Sequence, residues 1–443
     1  MVPLLVMAAC SAAVTIRAQR DAMAKLDVVD FAPRMTNAII SYGQYILKML
    51  WPTDLSVFYP YYNEAYYLKA AVVFLIFAVV TVFAVYHGRS SRYLSVGWLW
   101  YIVTLVPVIG IVRVGSQSHA DRYTYVPLMG LFVIIVWGTA HILAGRPQLK
   151  VLFAMLAVIV LASAGVVTNQ ASRNWKDTYA LSLQGAKVTK SPKMLMLLAS
   201  SQIDRNELDA ALANVREVEK IEPGDAEVLN VLGRIMLKMD KFADAAKYCQ
   251  RALEIEPNRR EIRLNAGLAL YGLGQVKEGE AHLRKAIELD PYWAVAYSQL
   301  GRLLGETGRQ DEGIAVYKTA IKLNPILPEC HYNLGLLYMH RNDFENASTE
   351  LKKEIAIDPD ADTWNSLGGC MVAMKKMDEA EKAYRESIRL KPDYARAHYN
   401  LGVVLEETGR RNEAVMEVEK ATLLEPWDED AKAMLARIKE GKH

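Results

Sequence analysis

Apolar positions follow two regimes along this chain. Before residue 170 they form long continuous runs, at 68–86, 94–112, 123–143 and 149–168. Each run is close to the ~20 residues a helix needs to cross the hydrocarbon layer of a bilayer. A shorter run at 2–16 reads as a partial span; it lacks the basic start of a secretory signal or of a lipoprotein signal ending at Cys10. Over residues 35–51, Ile39-Ile40, Tyr42-Gly43, Ile46-Leu47 and Leu50-Trp51 recur at helical spacing, with Arg34 and Lys48 toward the ends. That is the pattern of a helix lying in the interface or partly buried, and Phe58-Tyr59-Pro60-Tyr61-Tyr62 then supplies an aromatic belt.

After residue 170 the runs give way to a period. Prolines stand at 223, 257, 291, 325, 359, 392 and 426, at intervals of 34, 34, 34, 34, 33 and 34. Leu-Gly recurs at Leu232-Gly233, Leu300-Gly301, Leu334-Gly335, Leu367-Gly368 and Leu401-Gly402. Twelve residues past the glycines stand small residues: Ala245, Gly279, Gly313, Ala347, Ala380 and Ala414. A period near 34 is the signature of stacked helical hairpins, and these blocks resemble tetratricopeptide repeats (TPRs). Seven repeats are expected over 192–426, starting near 192, 226, 260, 294, 328, 361 and 395, the first being the weakest with Ala199 in place of glycine. Residues 171–191 form a half-repeat junction with Ala180 at the small-residue position, and 427–443 carry a capping helix. The expected fold is all-α: an N-terminal transmembrane helix bundle over 1–170, then a right-handed TPR α-solenoid.

Charge changes this picture only by giving it a direction. The net charge of +2 over 443 residues offers no basic surface for nucleic acid. The connections 87–93 and 144–150 carry Arg89 with Arg92 and Arg146 with Lys150, which the positive-inside rule assigns to the cytoplasm. The repeats then lie outside it, as expected of a bacterial inner-membrane protein, although Arg17, Arg20 and Lys25 would face outward too. Cys10, Cys249, Cys330 and Cys370 share no metal-ligand spacing, His331, His340 and His398 stand in separate repeats, and no metal or cofactor is expected.

Two sets of polar residues remain as binding candidates. Two residues before the repeat glycine stand Asn265, Gln299, Asn333 and Asn400, with Asn230 and Asn365 displaced by one position. An amide both donates and accepts, so such a ladder can hold the backbone of an extended peptide or protein partner. It resembles the asparagine ladder in the groove of the nucleocytoplasmic O-linked N-acetylglucosamine transferase; asparagine is also simply common at this repeat position. The second set, His119, Asp121 and Arg122, interrupts the apolar pattern at the mouth of a span. Arg122 either pairs with Asp121 to fix the loop or holds a lipid phosphate in its guanidinium fork.

The run Ala120-Asp121-Arg122-Tyr123-Thr124-Tyr125-Val126-Pro127-Leu128-Met129-Gly130 resembles the last external loop of the transmembrane, TPR-containing O-mannosyltransferases and their bacterial relatives. So do Asn37 to Lys48, Trp51-Pro52 and Leu55 to Pro60. The resemblance implies a protein O-glycosyltransferase with a polyprenyl-phosphate sugar donor, its repeats recruiting the acceptor. The chain departs from that family where chemistry resides. Members carry a catalytic acidic pair in the first external loop, whereas this sequence begins inside what reads as a late span. Asp27, Asp30, Asp54 and Glu64 do not match that pair, so no catalytic residue is assigned and the chain alone is not expected to carry out transfer.

Overall fold

The computed structural model describes residues 31–52, 55–56, 58–60, 65–106, 108–109, 117–119 and 121–440. The 2–16 run, Cys10, the basic residues at 17, 20 and 25, and the carboxylates at 27, 30, 54 and 64 lie outside the described residues. Among the described residues the chain is nearly all helical, with 21 α-helices and one two-stranded ribbon. It divides into two compact units, Met1–Pro223 and Gly224–His443.

The first unit begins with α1 (Phe31–Leu50), α2 (Tyr67–His87), α3 (Arg92–Leu105), α4 (Tyr125–Gly145) and α5 (Lys150–Arg173). Helix α1 buries one face, including Asn37, Ile40, Ser41 and Tyr45. Its hydroxyls tolerate this because Thr36 and Ser41 donate to carbonyls of their own helix at 3.0 and 2.8 Å. Tyr42 donates to the Ile102 carbonyl (2.9 Å) and Tyr101 to the Tyr42 carbonyl (2.6 Å), tying α1 to α3. Helices α3 and α4 cross at Gly97 and Gly130, where a Cβ on either glycine would lie 2.3 Å from the other's carbonyl oxygen. Only glycine permits that approach.

Three helices are long and apolar enough to cross a membrane: Tyr67–His87, Tyr125–Gly145 and Pro147–Arg173, with mean hydropathies of 2.7, 2.0 and 2.6. The apolar run at 94–112 differs from expectation. Its helix, α3, has 14 residues and spans about 21 Å at 1.5 Å per residue. At its end the Val106 N–H turns back to the Val103 carbonyl (3.3 Å), and the next residue in sequence, a proline, has no N–H to continue the ladder. The strands β1 (Tyr59–Pro60) and β2 (Gln117–His119) pair antiparallel, with Tyr59 opposite His119. Helices α6 (Thr178–Thr189), α7 (Pro192–Asp204) and α8 (Leu208–Ile221) complete this unit. Asp177 caps α6 by accepting the Ala180 N–H at 2.7 Å, four residues after α5 ends.

The second unit stacks six hairpins: α9 (Ala226–Lys238) with α10 (Phe242–Ile255), α11 (Arg260–Gly272) with α12 (Val276–Leu289), and α13 (Ala294–Glu306) with α14 (Gln310–Leu323) come first. Then follow α15 (Cys330–His340) with α16 (Phe344–Ile357), α17 (Ala361–Ala373) with α18 (Met377–Leu390), and α19 (Ala395–Glu407) with α20 (Arg411–Leu424). Helix α21 (Glu429–Glu440) closes the stack by burying Ala431, Met434 and Ile438. Each second helix ends two residues before a periodic proline, because the residue preceding a proline is pushed out of the helical region. Within a hairpin the repeat glycine faces the small residue of the second helix: a Cβ on Gly267 would meet the Gly279 carbonyl at 2.9 Å. The turn between helices needs one left-handed residue, supplied by Asp240, Gly274, Gly308, Asn342, Lys375 and Gly409 in turn. Leu232, Leu300, Leu334 and Leu401 are at most 2% exposed, and each such burial contributes about 1.5–3 kcal/mol.

Candidate functional site

The first helices of successive repeats, α9, α11, α13, α15, α17 and α19, touch one another in turn and form the inner layer of the second unit. The second helices are joined at longer range by ion pairs that repeat with the sequence period. Arg309 bridges Glu280 and Glu312 at 2.6 Å each, and Arg410 bridges Glu381 and Glu413 at 2.7 and 2.6 Å. Arg284 and Arg385 complete the two networks, and all four glutamates are held below the usual carboxylate range. Burial works against that shift at Glu280 and Glu381, and their arginine hydrogen bonds outweigh it.

The inner layer carries the amide row in a form the sequence did not reveal. Asn265 donates through Nδ2 to Asn230 Oδ1 at 2.8 Å, and Asn400 donates to Asn365 Oδ1 at 2.9 Å. The two displaced amides are therefore acceptors for the regular amides one repeat later. Four of the row's side chains are held in fixed orientation and retain only part of their bonding capacity. Gln299 is half-buried and accepts from Arg302 at 3.1 Å. Asn333 is half-buried, and its side chain makes no hydrogen bond among the described residues. Between these amides, Arg302 lies 5.8 Å from the Tyr271 ring, and Tyr271 donates to Glu306. Burial, reinforced by Glu306, pushes the Tyr271 hydroxyl up to about 12, so it remains a donor at neutral pH.

His331 and His398 occupy one repeat position and share one arrangement. Nδ1 of each lies 2.6 Å from a carboxylate, Glu350 or Glu417, and Nε2 lies 3.2 or 3.0 Å from the carbonyl of the preceding periodic proline, Pro325 or Pro392. His398 thus has an acceptor at both ring nitrogens. The Glu417 hydrogen bond accordingly raises the pKa of His398 against the opposing effect of burial. No group of three or more histidine, cysteine, aspartate or glutamate side chains suited to a metal occurs among the described residues.

In the first unit, three of the sequence runs noted above meet at one cavity of about 370 Å³. The run 37–48 contributes Tyr45 and Lys48, the run 55–60 contributes Leu55 and Ser56, and the run 120–130 contributes Thr124, Tyr125 and Leu128. The far wall comes from the end of α5 and from α6, with Asn174, Trp175 and Gln184. The Lys48 ammonium lies 3.5 Å from the centre of the Tyr59 ring, and Lys193 at the start of α7 lies 4.6 Å from that of Phe58. These cation–π contacts bind the 55–60 loop between α1 and α7. His119 falls in β2, and Asp121 and Arg122 fall in a 3₁₀ turn (Asp121–Thr124) that runs directly into α4. The side chains of these three lie outside the described part, and with them the choice between ion pair and phosphate contact at Arg122. Trp175, Asn174 and Gln184 were missed as site residues because they belong to the half-repeat by pattern; only the packing of α6 brings them to the cavity.

Comparison with known proteins bears on the repeats. Models described as TPR repeat match residues 301–340 and 372–409, and models of the tetratricopeptide repeat match 226–259, 261–292, 328–360 and 395–426. Human protein O-mannosyl-transferase TMTC2 is 36% identical over 99 residues, which is 21% of this chain and 12% of that protein. The peroxisomal targeting signal receptor of Eremothecium gossypii is 35% identical over 82 residues, 18% of this chain and 14% of the receptor. The matched part thus spans less than a sixth of either relative. The APC/C hetero-tetramer Cut9–Hcn1 aligns with a TM-score of 0.50 at 16% identity over 59% of this chain and 52% of that one, a likeness of fold alone. The chain carries tetratricopeptide repeats in a helical solenoid and has weak homology to two kinds of repeat-containing protein.

Proposed function

We propose that this is a membrane-anchored TPR protein whose repeat array lies outside the cytoplasm and binds an extended peptide or protein partner along its inner layer. The observation that carries the reading is the oriented amide row: Asn265 and Asn400 stand fixed by their partners, with Asn333 open between them. Such a row presents donors and acceptors at intervals to a chain with the same alternation. Anchoring is supported by the surfaces of α2 and α5, where Phe74, Leu75, Val82, Leu152, Leu161 and Val166 are all more than half exposed. Apolar area on that scale is tolerated in lipid and not in water. The test is binding of a random octapeptide library to the detergent-solubilised chain, with the double variant N333A/N400A alongside. The variant should lose most of the bound pool; retention at the wild-type level would remove the reading. A protease added outside intact cells should digest the region after 170, and protection there would reverse the orientation.

A second reading is favoured by the cavity. The three runs that resemble the O-mannosyltransferase family converge on it, and the human relative is named for that activity. On this reading the chain is the C-terminal portion of a polyprenyl-phosphate-sugar-dependent protein O-glycosyltransferase, and its repeats recruit the acceptor. A photoreactive polyprenyl phosphate should then label Thr124 to Leu128 or Trp175. Labelling confined to other segments would count against it.

A further inference from the structure

Among the second helices of the stacked hairpins, α20 differs in having large apolar side chains on its outer side. It buries Ala414, Val418 and Ala421 against the array. On the opposite side Met416 and Leu423 stand about two turns apart and are 56% and 78% exposed. These positions fall ten and three residues before the periodic proline. The five earlier second helices of the stack fill them only with Lys, Arg, Glu, Thr or Ala, as at Lys382 and Arg389 on α18. Trp427, in the turn directly after Pro426, is 74% exposed. Apolar side chains scattered singly over a surface are ordinary, but three large ones on one helix and the turn that follows it mark a contact surface.

Charge identifies the occupant. Lys420 falls between Met416 and Leu423 on the same face, is exposed, and makes no ion pair among the described residues. All three carboxylates of α20 are committed elsewhere, Glu413 to Arg410, Glu417 to His398 and Glu419 to Lys439. Beyond the helix Glu425 and Asp430 carry no ion pair, so the uncompensated positive charge is confined to the face itself. A second copy docked through this face would set Lys420 beside its own counterpart, because the lysine stands at the midpoint of the apolar pair. A phospholipid surface presents no such conflict. The lysine stem lies along the apolar face while its ammonium reaches a headgroup phosphate. Met416 and Leu423 then enter the acyl boundary, and Trp427 takes the interfacial depth that an indole ring prefers. We propose that the outer face of α20 rests on a phospholipid bilayer surface, which gives the array a membrane contact of its own. This rests on the membrane-anchored reading and adds a contact that the anchor does not imply.

The experiment uses the full chain in proteoliposomes of phosphatidylcholine and phosphatidylglycerol, with and without lipid brominated near the headgroup end of its acyl chains. The difference in emission between wild type and Trp427→Phe isolates Trp427 from the other tryptophans. Brominated lipid should quench that isolated emission about twofold or more, as expected of an indole at interfacial depth. Leu423→Gln and Lys420→Glu, each tested against its own Trp427→Phe partner, should remove most of the quenching. Both side chains are exposed, so the urea midpoint should stay at the wild-type value and show that the array is intact. Resistance to carbonate extraction reports the anchor separately. A chain that resists extraction while Trp427 stays unquenched, or quenching that survives both substitutions, overturns the inference and leaves the anchor standing. A chain released by carbonate removes the anchored reading and the inference with it. An unquenched Trp427 whose emission shifts to the blue with protein density, and loses that shift in Leu423→Gln, would identify a second copy as the occupant and also overturn the inference.

Discussion

Replacing His398 with alanine removes a side chain that ties two repeats to each other. The imidazole is 2% exposed and joins Glu417 on α20 to the Pro392 carbonyl that closes the preceding repeat. Without it, Glu417, whose side chain is 16% exposed, keeps its charge in a mostly dry site. Stranding one member of a buried ion pair costs about 3–5 kcal/mol, and partial access of water to Glu417 puts the expected loss near the lower end. The pH dependence follows from two shifts of opposite sign. His398 is raised above its ordinary 6.5, first by the Glu417 hydrogen bond, with Lys420 opposing. Its contribution is complete below 6.5 and fades as pH rises through the higher folded value. Glu417 is lowered from its ordinary 4.5, first by the His398 hydrogen bond, with Lys420 and Arg385 assisting. Its contribution is complete above 4.5 and fades as pH falls through the lower folded value. The loss caused by H398A should therefore be greatest between pH 4.5 and 6.5 and shrink on either side. Repeat arrays open locally, so the assay is hydrogen exchange of amides in α19 and α20, with urea unfolding as a global check. A loss below about 1 kcal/mol, or one that does not vary with pH, would refute the reasoning.

Three further outcomes follow from the packing. Glu354, 3% exposed, accepts the N–H groups of Glu329, His331 and Tyr332 at 2.9–3.2 Å and so caps α15, which has no side-chain cap of its own. E354A should lower stability by about 2–3 kcal/mol, read as a shift in urea midpoint, and an unchanged midpoint would show that the cap is dispensable. Lys375 holds the left-handed turn position at φ 60° that glycine fills at 274, 308 and 409. K375G should stabilise by roughly 0.5–1 kcal/mol, the left-handed strain relieved less the added freedom of the unfolded chain; a lower melting temperature would contradict this. G130L forces a side chain into the backbone of α3 and should separate α3 from α4, breaking the Trp100 Nε1 bond to the Val126 carbonyl (2.9 Å). The readout is tryptophan fluorescence in detergent, and a spectrum and melting curve like wild type would exclude that crossing.

The periodic features were legible because each is local. A proline ends a helix wherever it stands, and a glycine opposite a small residue lets two helices approach, so one repeat can be read without its neighbours. The same holds for the three helices with enough length and hydropathy to span a bilayer. The run at 94–112 misled because composition measures apolarity and not helical continuity, and α3 turns at Val106. The histidines were seen as isolated, which they are in sequence; Glu350 and Glu417 stand 19 residues away and meet them only when the hairpin closes. The 35-residue offset in both amide pairs was visible as a displacement by one position, but pattern alone gave no reason to read it as a bond.

The sequence by itself determined that this protein is a run of helical hairpins following a stretch of apolar helices, since the first rests on a period near 34 residues and the second on continuous apolar runs. Tertiary structure decided which polar groups are spent and which are available. It paired Asn230 with Asn265, bound Glu227 to Arg259, left Arg234 without an acceptor, and gathered three distant runs around one cavity. The physical reason is that a hydrogen bond or ion pair is a property of two positions in space, and the stacking of one repeat on the next brings those positions together.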